Sequence, residues 1–204
     1  MVAIAYCTVT GKCVPVLEAS IKAYAPPDTR LYFGNSPKGS FGESFNALLE
    51  WVFEREDEVI MSNDDVVLTP STMELLMEDV EHLKGKHGDK LGLVATYADD
   101  VRAVQHIRFN PNRKLKANNV VSPLFAWMSK AAFEAVQFPP LNWYSDDVIC
   151  EDLNRKGFHH YISRAYVHHA GSQTIGTDHA TLNEAALPWL RENRPDYVRD
   201  WFGA

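Results

Sequence analysis

Cysteine is scarce. Three cysteines, at positions 7, 13 and 150 of 204 residues, are too few and too scattered for a disulfide framework, and they fit a reducing compartment. No run of about 18 apolar residues occurs, so no membrane-spanning helix is expected. The opening Met-Val-Ala-Ile-Ala-Tyr-Cys lacks the basic and full apolar stretches of a secretory signal and reads instead as a buried strand. These features together imply a cytoplasmic protein. Positive charge is in deficit, with 20 Lys and Arg against 27 Asp and Glu and a net charge of -7. That balance argues against the basic face on which nonspecific nucleic-acid binding depends. Repeats, low-complexity tracts and splitting linkers are also missing. What is present is ordinary for a globular domain: 46% hydrophobic and 23% charged residues, in a length that suits a single domain.

Elements alternate along the first half. Val2–Cys7 reads as a strand, Val14–Tyr24 as a helix stopped by Pro26-Pro27, and Arg30–Phe33 as a second strand. Phe45–Phe53 sets Phe45, Leu48, Leu49 and Val52 on one helical face, Glu58–Met61 is a short buried strand, and Pro70 suits the first turn of the next helix. Leu91–Tyr97 is a further strand. This order predicts an α/β fold: a mostly parallel sheet with helices on both faces, which binds ligands beyond the carboxyl ends of its strands. After Tyr97 the pattern loosens. Ala98–Asn119, carrying Arg102, Arg108, Arg113, Lys114 and Lys116, reads as a long loop or weak hairpin, either a solvated surface or a binding loop. Strands are expected at Val120–Met128 and Tyr161–His168, helices at Ala131–Val136 and Asp147–Lys156, and a helical tail from Thr181.

Four segments carry candidate chemistry. In Met61-Ser62-Asn63-Asp64-Asp65-Val66 two adjacent carboxylates follow a strand. Adjacent acids repel unless a cation or hydrogen-bond donors offset them, and oxygen ligands of this kind suit Mg or Mn; the alternative is a turn or helix cap. Gly39 to Asn46 places glycines before a helix, whose first turn offers backbone N–H groups to an anion. Tyr144-Ser145-Asp146-Asp147 opens a helix with Glu151, Asp152, Arg155 and Gly157 following; its acids are either helix caps or a general base. Tyr166-Val167-His168-His169-Ala170-Gly171-Ser172 ends a strand in two histidines, structural residues or ligands for Mn. The cysteines lack zinc-ligand spacing. Trp127, Trp143 and Tyr144 offer aromatic faces either for a sugar or for core packing.

The four segments in this order resemble the motifs of GT-A fold glycosyltransferases, especially the family 2 group, in a short form that includes some bacteriophage enzymes. The match runs through Gly39, Phe41, Gly42 and Asn46, then Asn63-Asp64-Asp65-Val66-Val67-Leu68-Thr69-Pro70, then Asp146-Asp147 with Arg155 and Gly157, then His168 or His169 with Gly171, Ser172 and Thr174. The helical tail Asn193 to Trp201 is also similar. The chain departs from the pattern at Cys7-Thr8-Val9-Thr10, where the family has Pro-Thr-Tyr-Asn, and at Gly34-Asn35-Ser36, where it often has an Asp that meets the nucleobase.

The resemblance implies a single GT-A-like domain, with residues 1–97 binding a nucleotide-sugar and 98–204 the acceptor. It implies a divalent cation, Mn or Mg, held by Asp65 and by one of His168 and His169. Neighbouring strand residues face opposite ways, so only one histidine serves, and register leans to His168. Donor contacts fall to Thr8, Thr10, Asn35, Phe41, Gly42, Asn46, Asn63 and Asp64, with Asn63 near the ribose. Asp147 is the base of an inverting displacement, with Asp146 nearer the helix cap and Glu151-Asp152 as a competing pair. Trp127, Trp143 and Tyr144 line the acceptor. The acceptor hydroxyl belongs to a glycan, a small molecule or a hydroxymethylated DNA base, with Arg102–Lys116 as the dock for DNA phosphates, and a phage enzyme would work in the host cytoplasm. Two other readings use the same sheet: a nucleotidyltransferase, for which Thr8–Cys13 supplies only Gly11 and Lys12, and a noncatalytic nucleotide- or sugar-binding module.

Overall fold

A computed structural model describes residues 2–35, 39–171 and 178–203. The order is β1 (Ala3–Thr8), α1 (Val14–Tyr24), β2 (Arg30–Asn35), α2 (Phe41–Phe53), β3 (Glu58–Asn63), β4 (Val66–Leu68), α3 (Thr72–His87), β5 (Leu91–Tyr97), β6 (Lys116–Ala117), β7 (Phe125–Ser129), α4 (Lys130–Ala135), α5 (Ser145–Arg155), β8 (His159–His169), α6 (His179–Asn193) and α7 (Pro195–Phe202). One sheet runs β2-β1-β3-β7-β5-β8-β4, with β6 also on β8. β1 is parallel to β2 and β3, and β5 is parallel to β8. β7 lies antiparallel between β3 and β5, so β1, β2, β3, β5 and β8 all run one way.

Alternation along the strands builds two core layers. In β1, Ala3 and Ala5 join α2, α4 and α5 through Phe45, Leu49, Phe133 and Ile149. Ile4 and Tyr6 join α1 and α3 on the opposite face through Leu17, Ile21, Leu76 and Val80. Each fully buried aliphatic side chain of this kind contributes about 1.5–3 kcal/mol. The expected α/β sheet with helices on both faces is the fold observed. A third cluster, with Leu141, Val148, Leu190 and Tyr197, docks α6 and α7 beside the start of α5.

Several helix and strand ends lie a few residues from the expected bounds, and three differences have a clear physical reason. Pro70 precedes α3 instead of entering it, because Thr72 Oγ1 accepts from Thr69 N at 2.8 Å and donates to Tyr166 O at 2.6 Å, closing a turn just before the helix. The strand expected over Val120–Met128 starts only at Phe125. Pro123 has no N–H for a ladder, and Ser122 N donates to Gln105 Oε1 at 2.7 Å instead of to a strand. β4, too short to show a period, pairs antiparallel with the end of β8.

Candidate active site at the carboxyl edge

The shared strand direction brings the ends of β1, β3, β5 and β8 to one edge, and the start of β7 joins them because Asn63 N donates to Leu124 O at 2.8 Å. Three Asp-Asp pairs stand at this edge: Asp64-Asp65, Asp146-Asp147 and, just after β5, Asp99-Asp100, which holds the histidines at the end of β8.

The first is Asp64-Asp65, in the turn between β3 and β4. Thr8, the last residue of β1, donates its hydroxyl to Asp64. Burial and the Asp65 charge push the Asp64 carboxyl above its usual range against that hydrogen bond, with a net upward shift. The β4–β8 register sets Val66 opposite His169 and Val67 opposite His168. His169 Nε2 therefore lies 3.2 Å from Asp65 Oδ1, and both side chains are largely buried. Ala170 N donates to Asp65 O at 3.0 Å, fixing the turn against the strand end. His168 points the other way, is half exposed and pairs with Asp99. Only one of the two histidines meets Asp65, and it is His169, not the His168 to which register leaned. The register of β4, invisible in the sequence, decided which.

His169 Nδ1 donates to the carbonyl oxygen of Asp100 at 2.6 Å, and its backbone N–H donates to Asp99 at 2.7 Å. A carbonyl only accepts, so the Nδ1 proton is fixed; the charged ring then donates Nε2–H to Asp65, and the neutral ring has its Nε2 lone pair available to a cation held with Asp65. Burial works to lower the His169 pKa, but the hydrogen bond and charge of Asp65, reinforced by Asp100, raise it on balance. Gly171, at φ +72°, makes the adjoining backbone close enough for Asp100 to pack on it. A Cβ there would sit 1.6 Å from the Asp100 carboxylate.

Among the described residues no three His, Cys, Asp or Glu side chains form a ready-made metal cage. Asp65 and His169 nevertheless fit a two-ligand site. Two ligands on adjacent corners of an octahedral Mg or Mn shell stand about 3 Å apart, the orienting carbonyl on Nδ1 is the support a ligating histidine needs, and such cations leave their other positions to water and phosphate oxygens.

The second pair is Asp146-Asp147, in the first turn of α5. The helix is entered through Tyr144 in the left-handed region, at φ +65°, a conformation that costs a non-glycine residue about 1–3 kcal/mol. Tyr144 is held there by packing against Trp201 and Phe202 and by its hydroxyl, which donates to Asn183 Oδ1 at 2.8 Å. Trp143 donates to the same oxygen at 2.9 Å. Both aromatics thus fasten α6 and α7 to the helix start that carries the acids.

Arg102, in the loop after β5, faces both acids. Nη2 donates to Asp146 Oδ2 at 2.6 Å, while Asp147 receives longer contacts at 3.3 and 3.4 Å. Arg102 Nε donates to Ser122 Oγ at 2.7 Å, and Ser122 Oγ donates to Asp146 Oδ2 at 2.9 Å. Burial raises the Asp147 carboxyl to about 6, aided by the Asp146 charge and opposed by Arg102. The two acidic corners are neighbours through one short segment: Asp100 holds His169, and Arg102 holds Asp146 and Asp147. Two residues span at most about 7 Å.

The remaining expected donor and acceptor residues fall in three groups. Thr8, Asn63 and Asp64 lie at the edge, with Asn35 at the end of β2 and Thr10 in the exposed loop after β1. Phe41, Gly42 and Asn46 hold the 138–142 loop. Phe41 N donates to Asn142 Oδ1 at 2.7 Å, Asn46 exchanges two bonds with the Phe138 backbone at 2.8 and 3.0 Å, and a Cβ on Gly42 would meet Pro139 O at 1.8 Å. Trp127 is 2% exposed inside the sheet and bonds Glu58, apart from the other residues. Among the competing acids, Asp152 is paired with Arg194 and Tyr197, and Glu151 with Arg155, which also bonds Asp196. Ser36, Ser172 and Thr174 lie outside the described residues. Of the five Lys and Arg residues in the basic loop only Arg108 and Lys114 are exposed; Arg102 is taken by the acids, Lys116 bonds Asn110 and Arg113 lies over Tyr166. Reading the sequence alone missed Asp99, Asp100, Ser122 and the pairing of Arg102. The signal for the first two was there: acids directly after a strand, the same pattern that marks Asp64-Asp65.

No family model and no curated protein matches the chain. Solved structures do. S. aureus TarS 1–349 is similar with a TM-score of 0.57 at 14% identity, over 83% of this chain and 60% of that one. Its complex with UDP-GlcNAc is similar at 0.58 and 14%, over 89% and 61%. A197 from STIV is similar at 0.54 and 13%, over 79% and 81%. The chain shares their fold, the GT-A-like fold expected from the motifs, and spans about 60% of the length of TarS 1–349.

Proposed function

We propose that this chain is a metal-dependent, inverting glycosyltransferase that moves a sugar from a nucleotide-sugar to an acceptor hydroxyl. The observation that carries the reading is the pairing of two different acidic corners at one sheet edge, joined by residues 99–102: Asp65 with His169 on one side, Asp146 with Asp147 on the other. A fold shared with a protein solved with UDP-GlcNAc and with UDP supports UDP as the carrier.

Asp65 and His169 would hold the cation, which when bound neutralises the charge that gathers on the leaving diphosphate. Thr8 and Asn63, at the ends of β1 and β3, stand where the donor nucleotide would lie in such a sheet. Asp147 takes the proton of the acceptor hydroxyl. The acceptor oxygen forms its bond to the anomeric carbon, the bond from that carbon to the phosphate oxygen breaks, and the nucleoside diphosphate leaves with the electron pair. One such displacement inverts the anomeric centre. A carboxyl near 6 is mostly ionised at neutral pH and is a stronger base than an ordinary aspartate. The acceptor is a hydroxyl of a glycan, a small molecule or a hydroxymethylated DNA base.

The test is UDP release from a panel of UDP-sugars with Mn and with EDTA, followed by NMR of the product's anomeric configuration. Mn-dependent release and an inverted product support the proposal. Release that EDTA leaves unchanged, or a retained configuration, refutes the corresponding part of it.

A further inference from the structure

Arg102 has no place in the chemistry derived so far, yet it is the cation that pairs with both Asp146 and Asp147. Its four hydrogen bonds, to Ser122, Asp146 and Asp147, are unequal. A closed ring of Arg102 Nε to Ser122 Oγ, Ser122 Oγ to Asp146 Oδ2 and Arg102 Nη2 to Asp146 Oδ2 has lengths of 2.7, 2.9 and 2.6 Å. Asp147 stands outside that ring, at 3.3 and 3.4 Å from the guanidinium. Asp146 also accepts from the Asp147 backbone N–H at 3.1 Å, so both its oxygens are occupied, one by that N–H and the other by Arg102 and Ser122. Adjacent carboxylates with no cation would share a proton, and neither would then be a dependable base. We propose that Arg102, braced by Ser122, is a positioning residue that sorts the acid pair: it anchors Asp146 and leaves Asp147 as the carboxylate free to meet the acceptor. The assignment of Asp147 to the acceptor rests on the function proposed above; the sorting of the pair does not.

The groups facing Asp147 are Asp146 and Cys150 of its own helix, Tyr144 at the helix entry and Arg102 from the loop after β5. Arg102 is the cation among them. Its position is fixed by the chain as well as by Ser122. Gln105, three residues on, bonds Thr96 O and Ser122 O at 3.0 Å each and accepts from Ser122 N, which ties the loop to β5 and to the segment before β7.

The sorting is tested on the full chain with no donor present, by following the Asp146 and Asp147 side-chain carboxyl carbons by NMR against pH. Arg102→Gln should move the Asp147 midpoint upward by about two pH units, because the opposite charge that favoured ionisation is gone. An unmoved midpoint overturns the proposal. Arg102→Lys keeps the charge and loses the fork. It guards against a Gln variant that does not fold, and it should leave the Asp147 midpoint close to wild type. With UDP-GlcNAc as the probe and UDP release as the readout, Arg102→Gln should lose roughly tenfold in kcat at pH 7 and recover as pH rises, following the ionised fraction. KM for UDP-GlcNAc should be unchanged. A uniform loss at every pH marks a merely structural role and counts against the sorting. Arg102→Lys should lower kcat at all pH values; kcat equal to wild type would remove the need for the fork. A wild-type chain that turns over no UDP-sugar refutes the proposed function, while the carboxyl titration still decides the sorting.

Discussion

Asp64-Asp65 and Asp146-Asp147 are the same dipeptide at the same edge of the sheet, and their surroundings differ in kind. At the first pair the partners are a hydroxyl, from Thr8, and an imidazole, from His169. Neither is a permanent cation, and Nδ1 of the ring is fixed as a donor, so the neutral ring has its Nε2 lone pair available to a cation held with Asp65. At the second pair the partner is a guanidinium, charged at every working pH. The first corner therefore has room for a charge brought from outside, while the second has its cation built in. The difference separates a site suited to an exchangeable metal from one suited to a tuned base, and it follows from neighbours instead of from the acids themselves.

Removing the acid at the first corner should have the largest effect. Asp65→Ala is expected to abolish Mn-dependent UDP binding in calorimetry. Losing several kcal/mol of charge stabilisation should lower turnover on the order of 10⁴-fold. Undiminished Mn-dependent affinity would erase the contrast between the corners.

Asp147→Asn comes next, with a fall on the order of 10³-fold in kcat, mid-range for a general base, and UDP affinity within about twofold of wild type because the base meets the acceptor. In the wild type, the base must be ionised to act. The kcat profile should therefore drop about tenfold per pH unit below a midpoint near 6. An acid limb near 4, or a dead Asp152→Asn beside an active Asp147→Asn, would move the base elsewhere.

The histidines sharpen the comparison further. His169→Ala should weaken Mn affinity by roughly 10–100-fold, and His168→Ala should change it by no more than about twofold, since His168 pairs with Asp99 at the exposed side of β8. Equal effects of the two would show that the β4–β8 register is not what selects the ligand.

The smallest effect on chemistry is expected at the loop contact. Gly42→Ala forces a methyl against Pro139 O, which should lower thermal stability by roughly 1–3 kcal/mol in overpacking strain. Mn-dependent UDP affinity of the folded fraction should stay at the wild-type value, measured by calorimetry below the shifted melting temperature.

Much of the fold was legible because its signals are local. The run Val14–Tyr24 and the run Leu91–Tyr97 carry clear periods and clear stops, and both elements have those bounds in the structure. β4 and β6 carry no such signal: strands of three and two residues are defined by their partner, β8, and not by their own composition. The same limit applied to the site. Two of the three Asp-Asp pairs, Asp64-Asp65 and Asp146-Asp147, and the adjacent histidines stood out as residue types at strand and helix ends, while Asp99-Asp100 did not. Asn46 and Gly42 stood out too, but their polar and steric demands are met by the 138–142 loop, a contact nearly a hundred residues away.

The order of residues by itself determined an α/β sheet and the acids placed at the carboxyl ends of its strands, because hydrophobic period and strand direction are properties of the chain. Only the tertiary structure decided that His169 and not His168 meets Asp65, that Trp127 is core, and that Arg102 and Ser122 stand over Asp146 and Asp147. Those facts depend on the register between strands and on the path of the loop after β5, where displacement by one residue turns a side chain to the opposite face.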